Sequence, residues 1–323
     1  MWRTRCGFFI LAVLVCLFGF ITIFWGPSAF SFREVLLALG GRGDVVVHDV
    51  VWQIRFPKAV AACLAGASLS VSGLVLQSVF KNPLAGPFVL GVSSGANLGV
   101  ALVLLAGVGA SWGLVPCATL GAFGVVLLVL LAARYVSRSV SLLIVGLMIG
   151  YFVDALVSFW MATSSSEALR GFITWGLGSF SRLSLEKVPA FAAFALAGLL
   201  LCCFQIRYLN AAQVGETFAE SLGVNVRVSR TVALLGASLL AASATVYCGP
   251  VGFIGLASPH IAFGIFRTSN HRVLLPASAL VGVLLSLVSG LIPGIPLSSL
   301  TSLFGAPIVL WIFLRSHRGG EYG

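Results

Sequence analysis

Apolar runs recur along nearly the whole chain, each close to the roughly 20 residues that an α-helix needs to cross a bilayer core. Ten can be placed, at residues 7–25, 56–79, 90–109, 113–133, 140–161, 189–206, 231–248, 257–267, 273–292 and 301–314. Of the 323 residues, 59% are hydrophobic and 9% charged. A soluble domain carries about 25% charged residues, and part of any globule must face water. The sequence therefore predicts an all-α, polytopic membrane protein of about ten transmembrane helices, with residues 1–323 forming one membrane domain. The eighth run, around Ile261, is too short to cross alone and follows a Gly-rich bend. It predicts a tilted or partial helix buried among others. Arg3 and Arg5 ahead of the first run resemble a secretory signal, but no small-x-small site follows, so the run reads as an uncleaved first span.

The formal net charge of +10 sits in short loops between the runs. With the N-terminus inside, seven of the 19 Lys and Arg residues fall outside: Arg33, Arg42, Arg55, Lys58, Arg170, Arg182 and Lys187. The other twelve fall on the cytoplasmic side, the bias that sets membrane topology, and both termini are then cytoplasmic. Charge used for topology argues against nucleic acid as a partner and leaves membrane lipid as the surroundings. The seven cysteines lie mostly inside apolar runs without a C-x-x-C pair, so they read as packing residues. The sequence implies neither a metal site nor a cofactor. It has no G-x-x-x-x-G-K-[ST] phosphate loop.

Four stretches interrupt the apolar pattern. Arg55 and Lys58, in Val51–Lys58, stand at the outer membrane edge, as snorkelling anchors or as a docking patch for an acidic protein. In Gln77–Asn97 two prolines and several glycines break the helix, and the polar residues Ser93, Ser94 and Asn97 then re-enter the membrane, where they need partners or a wet cavity. Val214–Val224 predicts a short amphipathic helix ended by Gly223, with Phe218 and Leu222 on one face and Glu216 and Glu220 on another. A helix with two acids suits an anionic leaflet poorly, so a protein partner is expected. Gly249–Ile261 reads as a tight bend in which His260 is a hydrogen-bonded structural residue. Small residues at Gly66, Ser70, Gly73, Gly95 and Gly99 predict close helix contacts.

Taken together, Gln53–Lys58, Ala65–Gln77, Asn82–Ala85, Gly91–Ala96, Leu222–Val224, Gly252–Leu256, Pro259–Ile261, His271–Pro276 and Gly305–Pro307 resemble, in order, the uptake permease family for iron-siderophores, haem and cobalamin. These are the membrane subunits of type II ATP-binding-cassette importers. The resemblance implies a cobalamin-permease-like fold and a homodimer, or a heterodimer with a close paralogue, around a substrate path. It implies two copies of a cytoplasmic ATP-binding subunit and a soluble periplasmic or lipid-anchored substrate-binding protein in the cytoplasmic (inner) membrane system. The permease itself would not be an enzyme. By the same resemblance, Gly215, Glu216, Phe218, Glu220, Leu222 and Gly223 couple to the ATPase, and Arg55 and Lys58 dock acids of the binding protein. Asn82, Pro83, Leu84, Ser139 and Ser141 would lie near the cytoplasmic gate.

The chain departs from the family pattern between the last two spans. The charged outer motif of most members is replaced by Ser286–Pro296, shorter and without charge, leaving Arg170, Arg182 or Lys187 as candidate substitutes. Asp154, the one acid within the predicted spans, costs about 2.5–3.5 kcal/mol at a bilayer centre and must face protein or water. It either lines the path, with Ser93, Ser94 and Asn97, or bonds between helices. The cargo expected is an iron chelate, siderophore or haem, with cobalamin as the alternative. The rival class is an ion-coupled secondary transporter, which needs intramembrane ionisable groups and would have only Asp154.

Overall fold

The computed structural model describes residues 2–109, 111–135, 139–292 and 294–318, and among them there is no strand. The long helices fall where the apolar runs predict. They are α1 (Trp2–Phe24), α4 (Phe56–Phe80), α5 (Val92–Leu104), α6 (Leu114–Tyr135) and α7 (Ser139–Thr163) in the first half. The second half adds α9 (Val188–Phe204), α12 (Val226–Cys248), α13 (Ile254–Phe266), α14 (His271–Gly290) and α15 (Leu297–Arg318). Five shorter helices occupy the connections: α2 (Phe32–Leu39), α3 (Val45–Asp49), α8 (Ser166–Gly176), α10 (Ile206–Val214) and α11 (Glu216–Ser221).

The helices alternate in direction. One face of the bundle carries the start of α1, the end of α4, α10 and α11; the opposite face carries α2, α3 and α8. Helix α4 is the central element. It packs on α14, α12, α13 and α9, and Ala61, Ala65, Leu69, Val71, Val75 and Leu76 on it are buried. Small residues set the approach distances. A Cβ on Gly73 would collide with the Gly255 carbonyl of α13, and one on Gly99 with the Cys117 carbonyl of α6. Gly95 and Gly121 stand in the same reciprocal relation between α5 and α6. In lipid, where apolar surface gives no drive to associate, such backbone-to-backbone packing supplies much of the cohesion.

Two spans are short. At 13 residues each, α5 and α13 reach about 20 Å, less than the hydrocarbon core of about 30 Å. Chain outside the α-helices completes both. Ahead of α5 runs the loop 81–91, with a short 3-10 turn at Pro87–Leu90 and with Ala85 and Leu90 buried. Ahead of α13 runs 249–253, with Val251 buried. Irregular backbone at this depth is tolerated because protein surrounds it. The partial-helix expectation at Ile261 agrees with α13.

Several boundaries differ from the sequence reading, some by five residues or more, and two of them move charged side chains. The helix of the second span starts at Val45, not residue 56: α3 continues through a π-helical stretch, Val50–Arg55, into α4, giving 36 helical residues. Pro57 explains both facts. A proline normally opens a helix, and inside one its ring clashes with the carbonyl four residues back. The wider π turn just ahead of Pro57 accommodates that clash. At its start the segment is capped by Asp44, whose Oδ1 accepts from Val46 N at 3.0 Å. Likewise α12 begins at Val226 rather than 231, capped by Asn225, so Arg227 and Arg230 are helical rather than in a loop.

Candidate functional site

On the face that carries the start of α1, the loop leaving α4 is folded by its own sequence. Lys81 ends α4 in a left-handed conformation at φ 49°. Asn82 Oδ1 then accepts from Leu84 N at 2.9 Å, an Asx turn. One residue of α13 fastens this loop, and two of α4 tie the helix end before it to α13 and α14. Gln77 Nε2 donates to Leu256 O at 3.2 Å, and His260 Nε2 to Pro83 O at 2.9 Å. Ser78 Oγ lies 2.7 Å from His271 Nε2. The expectation for His260 as a hydrogen-bonded structural residue agrees with this geometry. Ser93 and Ser94 follow in the first turn of α5, half-buried, with Ser94 facing Gly150 of α7. Asn97 is one turn deeper, its Oδ1 buried and without a protein partner among the described residues. Ser139 and Ser141 open α7; Ser141 is half-buried, and the side chain of Ser139 lies outside the described residues.

On the same face stands a helical hairpin. α10 ends at Val214, Gly215 breaks the helix in extended conformation, and α11 runs over Glu216–Ser221. Gly223 follows with φ +77°, the left-handed stop anticipated from the sequence. Phe218, Glu220 and Leu222 are exposed and Glu216 is half-buried. A groove of about 450 Å³ separates the hairpin from the start of α14, lined by Arg207, Phe218, Leu222, Asn270 and Arg272. It offers a partner apolar contact flanked by cations. Burial raises the pKa of the Tyr208 phenol, Glu216 adds to the rise and Arg230 opposes it, leaving it at about 12 and the phenol neutral.

At the opposite face the two predicted docking cations part company. Arg55 is buried. Its guanidinium donates to Ile23 O and Phe24 O at 3.1 Å each and to Ser28 O at 2.6 Å, and stacks over the Phe30 ring at 5.2 Å. The C-terminal carbonyls of α1 have no helical donors, and Arg55 supplies them instead of presenting its charge outward. Lys58, one turn on, is half-buried, its stem 3.9 Å from where a Cβ on Gly290 would stand. That places it beside the uncharged Ser286–Pro296 segment. Of the candidate substitutes, Arg182 is committed. It donates to Trp175 O at 2.9 Å and Thr174 O at 2.7 Å, ending α8, and burial lowers its pKa. Arg170 and Lys187 are exposed.

Asp154 lies mid-way along α7, on the outside of the protomer rather than bonded between its helices. Tyr151, Ser158 and Phe159 flank it, all exposed. Sequence reasoning missed His271. It is fully buried at the head of α14, with ring contacts to two other helices, α4 and α10. The signal was an Asn210/Gln213 pair at i, i+3 that faces Asn270-His271 across an otherwise apolar end of the bundle.

An all-helical bundle with two broken spans, a pinned loop and an exposed acidic hairpin on one face is the architecture of a multi-pass transport permease. The family comparison settles which class: the sequence model of the FecCD transport family matches residues 12–315. The chain belongs to the FecCD transport family and is a membrane permease of the ATP-binding-cassette importer type. It is 35% identical over 289 residues to the vitamin B12 import system permease protein BtuC of Salmonella paratyphi A, covering 87% of each chain. Among solved structures it resembles a metal-chelate type ABC transporter captured in an inward-facing conformation. There the TM-score is 0.85 and the identity 29%, over 95% of this chain and 98% of that one. PsaBC from Streptococcus pneumoniae, solved in complex with Fab, shares the fold at a TM-score of 0.54 and 16% identity, over 80% of this chain and 90% of that one.

Proposed function

We propose that two copies of this chain, or one copy with a close paralogue, enclose a path for a bulky metal chelate across the cytoplasmic membrane. Hydrolysis of ATP takes place on two copies of a separate subunit docked on the hairpin 215–223. The observation that carries the reading is the acidic, apolar-tipped hairpin on the same face as the loop 81–91, the face that the positive-inside bias puts in the cytoplasm. Asp154 supports the dimer. A carboxylate exposed in lipid is costly, so a second protomer or a water-filled path must cover this side of α7. Asn97 fits such a path, because its unpartnered buried oxygen calls for water or cargo.

A soluble binding protein delivers the cargo at the opposite face, where Lys58, Arg170 and Lys187 present positive charge and Arg55 holds the surrounding loop. The cargo is an iron chelate, siderophore or haem. Cobalamin is the second reading, favoured by the name of the relatives at 35% identity. Growth of a deletion strain on ferric siderophore, haem or cobalamin as sole source separates them. The coupling role is tested by Glu216→Lys and Phe218→Ala, which should reduce co-purification of the ATPase. Undiminished co-purification in both variants rejects it.

A further inference from the structure

The imidazole of His271 has no exposure, yet both its ring nitrogens are within hydrogen-bond distance of neighbours on different helices. Nε2 faces Ser78 Oγ of α4 at 2.7 Å. Nδ1 faces Asn210 Oδ1 at 2.9 Å and Gln213 Nε2 at 3.1 Å, both on α10. The backbone N–H of His271 also donates to Asn210 Oδ1 at 2.8 Å. A neutral imidazole donates from one nitrogen and accepts at the other. Asn210 Oδ1 only accepts, so its 2.9 Å contact calls for Nδ1–H, and Nε2 then accepts from the Ser78 hydroxyl. Gln213 Nε2 also donates to the Ser269 carbonyl at 2.9 Å, just ahead of α14. The buried ring thus links α10 to the end of α4 through one continuous chain of hydrogen bonds.

Its place in the fold gives this bridge a use. α10 leads through Gly215 directly into α11, while Ser78 is three residues from Lys81, where the loop to α5 begins. From this we infer that His271 is the positioning residue that carries movement of the 215–223 hairpin to the 81–91 loop, by bridging Asn210 of α10 to Ser78 of α4. The inference rests on the coupling role proposed for that hairpin. Three of the participants can be altered singly, and the ring needs no charge to work.

The test is hydrogen exchange read by mass spectrometry on the permease–ATPase complex in lipid nanodiscs, with and without Mg-ATP plus vanadate. It needs no cargo. In the native complex, trapping nucleotide should change exchange in both 206–224 and 81–91. In Ser78→Ala, which leaves the buried ring in place, the response at 206–224 should persist. The response at 81–91 should fall about fivefold or more, the lower range of ordinary coupling between sites. His271→Gln should behave likewise. If Ser78→Ala and His271→Gln keep both responses, the inference is overturned while the hairpin's coupling role stands. If the native complex shows no response at 206–224, the coupling role itself fails and the inference with it. A merely structural role for His271 would speed exchange in both segments without nucleotide and leave the nucleotide response of each intact.

Discussion

His260 Nε2 donates to the Pro83 carbonyl across 2.9 Å and so ties α13 to the loop that leaves α4. A carbonyl only accepts, so Nε2 must carry a proton. Both the neutral Nε2–H tautomer and the imidazolium meet that condition, which makes the tie insensitive to protonation of the ring. Its loss is a different matter. His260→Leu should raise amide exchange across 82–86 and lower unfolding free energy by about 1 kcal/mol, the net worth of an ordinary hydrogen bond. His260→Gln, whose amide also donates, should recover much of both. Equal exchange in native protein and His260→Leu would show that the loop is held by Gln77 and the Asx turn alone.

Arg55 presents the opposite case, a cation spent on structure. Three carbonyls at the end of α1 and the turn after it depend on one guanidinium. Hydrogen bonds from a charged donor are worth about 1.5–3 kcal/mol each, though not additively. Arg55→Ala should therefore cost at least about 2 kcal/mol, read as a drop in melting temperature in detergent. Arg55→Lys should fail to restore it, because an ammonium cannot reproduce the planar fork that reaches Ile23, Phe24 and Ser28 together. A melting temperature unchanged in Arg55→Ala would reassign the residue to the surface.

The close seams give a third prediction. A Cβ at Gly73 meets the Gly255 carbonyl and a Cβ at Gly99 the Cys117 carbonyl, backbone atoms that can yield only if whole helices separate. Gly124 lies on α6 with nothing within 4 Å of its ideal Cβ. Gly73→Val and Gly99→Val should each destabilise by more than the usual 1–3 kcal/mol of overpacking and cut the yield of folded protein. Gly124→Val should be tolerated. Similar yields for the three variants, by size-exclusion chromatography, would mean the seams are looser than this.

The spans were legible because lipid enforces one rule: a run of about 20 apolar residues must be helical, since no water is there to satisfy its backbone. Small residues at Gly66, Gly73, Gly95 and Gly99 announced their contacts for the same reason. The acidic hairpin was legible through Gly223 and its spaced acids. What failed to show was decided by tertiary partners. Arg55 looks like a membrane-edge cation until the end of α1 is placed beside it. Pro57 looks like a helix start until the π turn before it is seen. His271 looks like the exposed first residue of a helix until α10 closes over it. Asp154 could be assigned to a helix from sequence but not to a side of it, because α7 is apolar all round and its hydrophobic pattern does not say which face is outward.

Docking of a binding protein can be separated from the structural use of cations at the same face. Lys58, Arg170 and Lys187, like Arg33 and Arg42, make no side-chain hydrogen bond among the described residues, whereas Arg55 and Arg182 already serve backbone carbonyls. Charges that steer association act through the association rate and are screened by salt. Lys58→Glu combined with Arg170→Glu should slow association of the binding protein by about tenfold or more at low ionic strength. The difference from native protein should shrink toward nothing near 1 M salt, where the Debye length falls to about 3 Å. Melting temperature should change little. Surface plasmon resonance with the permease in nanodiscs and the binding protein in solution measures the rate. A salt-independent loss would point to a distorted surface, and an unchanged rate would remove these cations from the docking site.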